Sequence, residues 1–243
     1  MAKKKRKRRG KGCGRFLLLA ILLLAIYITA LFLPVFDITD ISVSGNTVLK
    51  SETVIKECTL AKGQNIFRVS TGKAKRNILK MPYVKEVKVK RKLPSKIVIE
   101  ITEEVAEAYI VKDKNYIAIN ADGKVLEVVK KPKAGIMQIP GMKVSKNDVG
   151  EIIEYKNENA FKLQMQCVNV LRDKGILEKV AKLDIANSSN IKITFDNGLV
   201  AEIGNNEEIE YKIKMIETVL GEGYGSGIFN IANTAQPTYR KNK

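Results

Sequence analysis

The chain has 243 residues, 28% of them charged, with a formal net charge of +17 and no histidine. That length allows one or two domains with a sizeable core. The missing imidazole excludes Ser-His-Asp and Cys-His catalysis and zinc sites of mixed Cys/His type, and no CxxC spacing links Cys13, Cys58 and Cys167.

The charge is unevenly placed. Lys3, Lys4, Lys5, Arg6, Lys7, Arg8, Arg9, Lys11 and Arg15 all precede the first acid, Asp37. Taking those nine from +17 leaves +8 on the rest, where 34 basic residues face 26 acids. That balance is an ordinary mixed, solvated surface.

Residues 16–36 (FLLLAILLLAIYITALFLPVF) carry no charge. As a helix rising about 1.5 Å per residue they would span roughly 31 Å, matching a hydrocarbon core of about 30 Å. A cleaved signal peptide has a shorter apolar core, and Ile28 is a poor residue two before a cut at Ala30. Residues 3–9 alone resemble a nuclear signal. Beside an apolar span they read as the positive-inside determinant. The expectation is a basic cytoplasmic tail over 1–15, a transmembrane helix over 16–36 in the lipid bilayer, and residues 37–243 outside. On that topology Cys13 is separated by the membrane from Cys58 and Cys167. The latter two could pair if they met, and the plainer reading is two separately buried thiols.

Next comes a strand in which Ile41 and Val43 alternate with Ser42 and Ser44, ended by a Gly45-Asn46 turn. Ser51 is placed to cap a helix through Cys58. Ser70 is placed to cap a second helix to Lys80, which Pro82 stops. Val87 and Val89 alternate with lysines, and Ile97, Ile99 and Ile101 with Val98, Glu100 and Thr102. With Lys92-Leu93-Pro94-Ser95 between them, they predict an antiparallel hairpin. The order is β-α-α-β-β, a small sheet with two helices on one face.

Three motifs carry a resemblance: IxVxGNxxxxxExxI, GxNIF and LxMPYVxxVxVxRxLPxxIVIEI. The residues are Ile41, Val43, Gly45, Asn46, Gly63, Asn65, Ile66, Phe67, Pro82, Val84, Val87, Val89, Leu93, Pro94, Ile97 and Ile99. Over 37–104 the chain closely resembles the POTRA domain of the FtsQ/DivIB cell-division family. Glu103-Glu104 stands where that family often has an acidic-basic pair.

Beyond it, residues 106–111 and 116–120 are strand-like, and Asp122-Gly123 is a hairpin turn into 125–128. Ile139-Pro140-Gly141 marks a break. Residues 159–174 predict an amphipathic helix with Leu163, Cys167, Val170 and Leu171 on one face, stopped by Gly175. Strands follow over 180–186 and 191–195, and Asn197-Gly198 turns the chain into 199–203. A last helix carries Ile209, Ile213, Ile216 and Leu220 and ends at Gly221. A short final strand covers 228–231, leaving 232–243 as a polar tail. NADGKVL, the 139–141 break, the NG hairpin and the closing GIFNI resemble the family's β domain, here 105–231. Asn230 replaces the family's usual Asp. The fold class expected is therefore α+β: a transmembrane helix, a POTRA domain and a mixed C-terminal β domain.

No motif for chemistry emerges. Adjacent Glu103-Glu104 and Glu207-Glu208 point in different directions and form no proton-sharing dyad. GEGYGSG at 221–227 follows a helix instead of preceding one, so it reads as a helix stop and not a phosphate cradle. Lys85, Lys88, Lys90, Arg91, Lys92 and Lys96 cluster on the hairpin, yet outside the cytoplasm they meet no genome. No cofactor, metal, nucleic acid or small-molecule substrate is expected, and no enzymatic activity.

A last strand with a free edge can accept a strand from another protein. The resemblance implies that this end docks FtsB/DivIC- and FtsL-type partners at the division septum, in a scaffold that localises and regulates septal peptidoglycan synthesis. It places the contact on Phe229, Ile231, Asn233, Thr234, Ala235 and Tyr239. The alternative is a membrane-tethered POTRA chaperone for exported polypeptides.

Overall fold

The structure, a computed structural model, describes residues 12–241, with side chains from Arg15 onward. The basic run over 3–11 and the side chain of Cys13 lie outside the described residues. The chain divides into two compact units, Met1–Glu103 and Glu104–Lys243.

The first unit begins with helix α1, Gly12–Ala30. The expectation of one helix over 16–36 is corrected here. The helix stops at Ala30, a turn follows, and Pro34–Phe36 forms a separate 3-10 turn with proline at its start, where its missing N–H costs nothing. The buried Asn65 side chain fixes the end of α1 by donating to the Ala30 carbonyl at 3.1 Å. Among the described residues no helix is long and apolar enough to cross a membrane.

Strand β1 (Asp40–Ser44), helices α2 (Ser51–Cys58) and α3 (Thr71–Ile78), and strands β2 (Val84–Lys92) and β3 (Lys96–Glu103) follow in the order the alternation and caps predict. The sheet order is β1-β3-β2: β1 runs parallel to β3, and β2 pairs with β3 as an antiparallel hairpin. Val54, Cys58, Ala74 and Ile78 from the helices pack on Ile41, Val87, Ile97 and Ile99 from the sheet in one core. Segment 63–66 zips onto 36–38: Ile38 N–H donates to Gln64 O, Gly63 N–H to Ile38 O and Ile66 N–H to Phe36 O, each at 2.8 Å. The GxNIF motif thus closes the entry to the unit.

Ser70 caps α3 as expected, accepting from Lys73 N–H at 3.2 Å. Ser51 does not cap α2. It is the first helical residue, and Lys50 occupies the cap position without a side-chain bond. The loop before α2 is held instead by Glu103. Its carboxylate accepts from the amides of Thr47, Val48 and Leu49, each at 2.8 Å, and from the Thr47 hydroxyl at 2.6 Å. Burial alone would push this carboxyl up, but the four bonds together bring it below its ordinary value of 4.5. The sign follows: protonation is harder in the folded state, so the clamp contributes fully above about pH 4.5 and is lost as pH falls through the lowered value. Glu103→Ala is expected to cost about 1–2 kcal/mol at neutral pH, discounted for partial exposure. In urea melts the gap between variant and parent narrows on acidification, and a gap independent of pH contradicts the assignment.

The second unit is a nine-stranded sheet in the order β14-β13-β12-β11-β10-β7-β4-β5-β6. Its strands are β4 (Ala108–Lys112), β5 (Asn115–Ile119), β6 (Val125–Val129), β7 (Met137–Ile139), β10 (Val180–Asp184), β11 (Ile191–Phe195), β12 (Leu199–Gly204), β13 (Gly227–Asn230) and β14 (Thr238–Lys241). A separate ribbon joins β8 (Val144–Lys146) to β9 (Glu154–Tyr155). The hairpins β4-β5-β6 and β10-β11-β12 lie where the alternation and turns put them. Strand β7 seams them, parallel to both β4 and β10. Three elements depart from expectation. The 139–141 break ends a central strand, 144–155 forms the ribbon, and the tail is not irregular.

Helix α4 (Glu158–Asp173), capped by the Asn157 side chain on Asn159 N–H, buries Leu163, Gln164, Cys167, Val168, Val170 and Leu171. Helix α5 (Ile209–Gly221) buries Ile209, Ile213 and Ile216 in the same core, and Lys212 beside them donates to Asn205. The helix is the crossover that lets β12 and β13 run parallel. Gln164 is deeply buried yet satisfied, accepting from the Tyr155 hydroxyl. Burial pushes the Tyr155 phenol up.

Candidate functional site

Among the described residues no cluster of acids and cysteines has the arrangement of a metal site. Cys58 and Cys167 are free, buried and in different units. Burial pushes the Cys58 thiol up and that of Cys167 up to about 12, so neither is a thiolate at neutral pH. The basic hairpin is partly committed to structure. Lys90 pairs with Glu100 at 2.7 Å, and Arg91 donates to the Ile66 and Val69 carbonyls at 2.8 Å.

What the second unit offers is an edge. Glycine 198 turns β11 into β12, and Asn197 holds that turn by accepting from Leu199 N–H at 3.0 Å and donating to Tyr224 O at 3.0 Å. Helix α5 then carries the chain over to β13. Strand β13 is not terminal. After Asn230 the chain turns and returns as β14, antiparallel to β13, pairing Gly227 with Lys241, Ile228 with Arg240, Phe229 with Tyr239 and Asn230 with Thr238. The outer side of β14 is therefore the sheet's last border.

The turn is locked by short-range chemistry. Asn230 accepts from Ala232 N–H, and Asn233 from Ala235 N–H, both at 3.1 Å. Thr234 donates to Glu208 at the start of α5 at 3.0 Å. Tyr239 packs edge-on against Tyr224 with ring centroids 4.8 Å apart, and its hydroxyl donates to Ser226 O at 3.3 Å. Gly227 makes room for this: a Cβ there would lie 2.7 Å from the Tyr239 hydroxyl and 2.8 Å from Arg240 O.

The six residues expected at the partner contact fall into two groups. Phe229 and Ile231 point into the core, the first 6% and the second 0% exposed, and β13 is flanked by β12 and β14. The expectation that β13 presents a free edge and its own side chains is corrected: alternation turns Phe229 inward, and Ile231 donates its N–H to Glu202 O at 2.9 Å. Asn233 and Ala235 are exposed in the turn, Thr234 and Tyr239 half-buried. Sequence reading missed Thr238, Arg240 and Lys241, the exposed residues of β14. Tyr239 followed by two cations, two residues after Pro237, was the available signal, too short to register as a strand.

Comparison with known proteins bears on both units. A profile described as the FtsQ-type POTRA domain matches residues 36–104. Cell division protein DivIB of Clostridium botulinum is 33% identical over 227 residues, covering 90% of this chain and 84% of that protein. DivIB of Clostridium tetani is 30% identical with the same coverage. Cell division protein FtsQ of Corynebacterium glutamicum is 26% identical over 193 residues, covering 79% and 82%. With likeness of that degree running through both units, this chain belongs to the FtsQ/DivIB family of cell division proteins.

Proposed function

We propose that the chain is a non-enzymatic, single-pass membrane scaffold of the division complex. It binds FtsB/DivIC- and FtsL-type partners at the septum, and through them it localises and regulates septal peptidoglycan synthesis. The observation that carries the reading is the border strand β14, four residues long and backed by a nine-stranded sheet. An extended segment of a partner can add to such a border main chain to main chain. Exposed Arg240 and Lys241 on that strand favour a partner segment with acidic side chains.

Membrane anchoring is supported by α1. Its side chains from Phe16 to Ile28 include ten large apolar residues, all exposed, Phe16 by 77% and Leu18 by 68%. A helix apolar all round needs lipid or protein to cover it. The uncharged run continues past the helix to Phe36, and nine cations before it orient the N-terminus to the cytoplasm.

The test is capture of a partner ectodomain by the full chain in detergent, with and without residues 238–243. Removal of β14 is expected to abolish capture while far-UV circular dichroism changes little. Undiminished capture contradicts the assignment. Equal binding of unrelated extended peptides points to a chaperone instead.

A further inference from the structure

We propose that the hollow between the end of α1 and the first unit's entry segment is a headgroup site for an anionic phospholipid, an inference that rests on the anchoring reading above. The hollow is about 550 Å³ and is lined by Leu31, Phe32, Asp37, Asn65, Arg68 and Lys73, among others. Its position is set by the chain itself. Asn65 ties the last turn of α1 to the wall, donating to Ala30 O at 3.1 Å, and 63–66 zips onto 36–38. With α1 in the bilayer, the turn at 31–33 lies at the interface, and the hollow opens at headgroup level.

Its chemistry is that of an interface. Arg68 lies over the Phe32 ring, its guanidinium carbon 4.5 Å from the centroid. That stacking holds the planar cation in place while leaving its in-plane donors for an oxygen ligand. Among the described residues neither Arg68 nor Lys73 forms an ion pair. Lys73 sits in the first turn of α3, where the helix dipole favours an anion even though its own amide is spent on the Ser70 cap. Leu31 and Phe32 line the same hollow, Phe32 being 70% exposed, and offer apolar surface for the start of an acyl chain; the adjoining Leu33 and Val35 are also exposed. Asp37 is the one carboxylate in the lining. Two cations against one acid leave the lining net positive, which suits the phosphodiester of an anionic lipid.

The experiment uses the full chain in nanodiscs of phosphatidylcholine mixed in equal parts with phosphatidylglycerol, read by native mass spectrometry of the lipid retained on release. The parent is expected to keep one phosphatidylglycerol. Arg68→Gln with Lys73→Gln should lower that occupancy about tenfold, the loss of one to two charge-assisted contacts. Lys85→Gln with Lys88→Gln, the same charge removed from the exposed hairpin, should leave it unchanged. Every variant keeps the basic N-terminus, so its attraction for anionic lipid is common to all. Equal retention of phosphatidylcholine, an equal fall in the hairpin variant, or displacement by excess inorganic phosphate overturns the headgroup site alone. A chain that does not co-elute with the discs overturns the anchoring reading as well.

Discussion

Gly45→Val is expected to unfold the first unit outright. Gly45 sits at φ +82°, where a β-branched side chain is strained. A Cβ at that position would also lie 2.1 Å from the Ile101 carbonyl oxygen. That oxygen belongs to the central strand β3, paired on both sides, so it cannot retreat without breaking the sheet. Strain and clash together should exceed about 4 kcal/mol, most of the stability of a domain this small. Gly63 is the control. It has φ +84° with nothing within 4 Å of the added carbon, so Gly63→Ala should cost only the conformational term, about 1 kcal/mol. Urea melts of the full chain, followed by limited trypsin digestion, separate the two. Comparable losses at both sites would mean that the approach to β3 is not what demands glycine.

The same glycine shows how the fold was legible. Its role as a turn is local and visible as Gly-Asn after an alternating strand. Its role as the only residue that fits beneath β3 is not, because Ile101 is far away in sequence. The pattern repeats elsewhere. Helices α4 and α5 could be read from their apolar spacing, and the hairpins from Asp122-Gly123 and Asn197-Gly198, since each signal lies within the element it predicts. Strand β7 could not: three residues hold no periodicity, and its place between β4 and β10 is set by partners on either side. The misplaced cap at Ser51 has a similar cause. Glu103, more than 50 residues downstream, already satisfies the amides before α2. Ser51 instead accepts from Asn46 Nδ2 at 3.2 Å. At the candidate site, the turn chemistry of 230–235 reads as a loop in sequence, and only the Gly227–Tyr239 fit reveals a returning strand.

That fit supplies the most selective probe of the docking edge. Gly227→Val is expected to detach β14 and abolish partner capture without disturbing the core. The backbone at Gly227 lies outside the left-handed region, and β-branched residues suit a strand. Only space opposes the change. The obstacles are the Tyr239 hydroxyl at 2.7 Å and its Cε2 at 2.8 Å, which can swing away, and the Arg240 carbonyl at 2.8 Å, which cannot unless β14 moves. Strand β13 stays paired with β12, so the thermal midpoint should shift little while partner affinity falls at least about 100-fold, roughly 3 kcal/mol. Combining the substitution with loss of 238–243 should add nothing, because both remove the same strand. Ile231→Pro is the poorer probe. It deletes the N–H that donates to Glu202 O at 2.9 Å, at a residue with 0% exposure, so lost binding there reports a damaged core. If Gly227→Val instead melts the whole second unit, β14 is part of the core's cooperativity. If the variant keeps its fold and still captures the partner, the docking surface lies elsewhere.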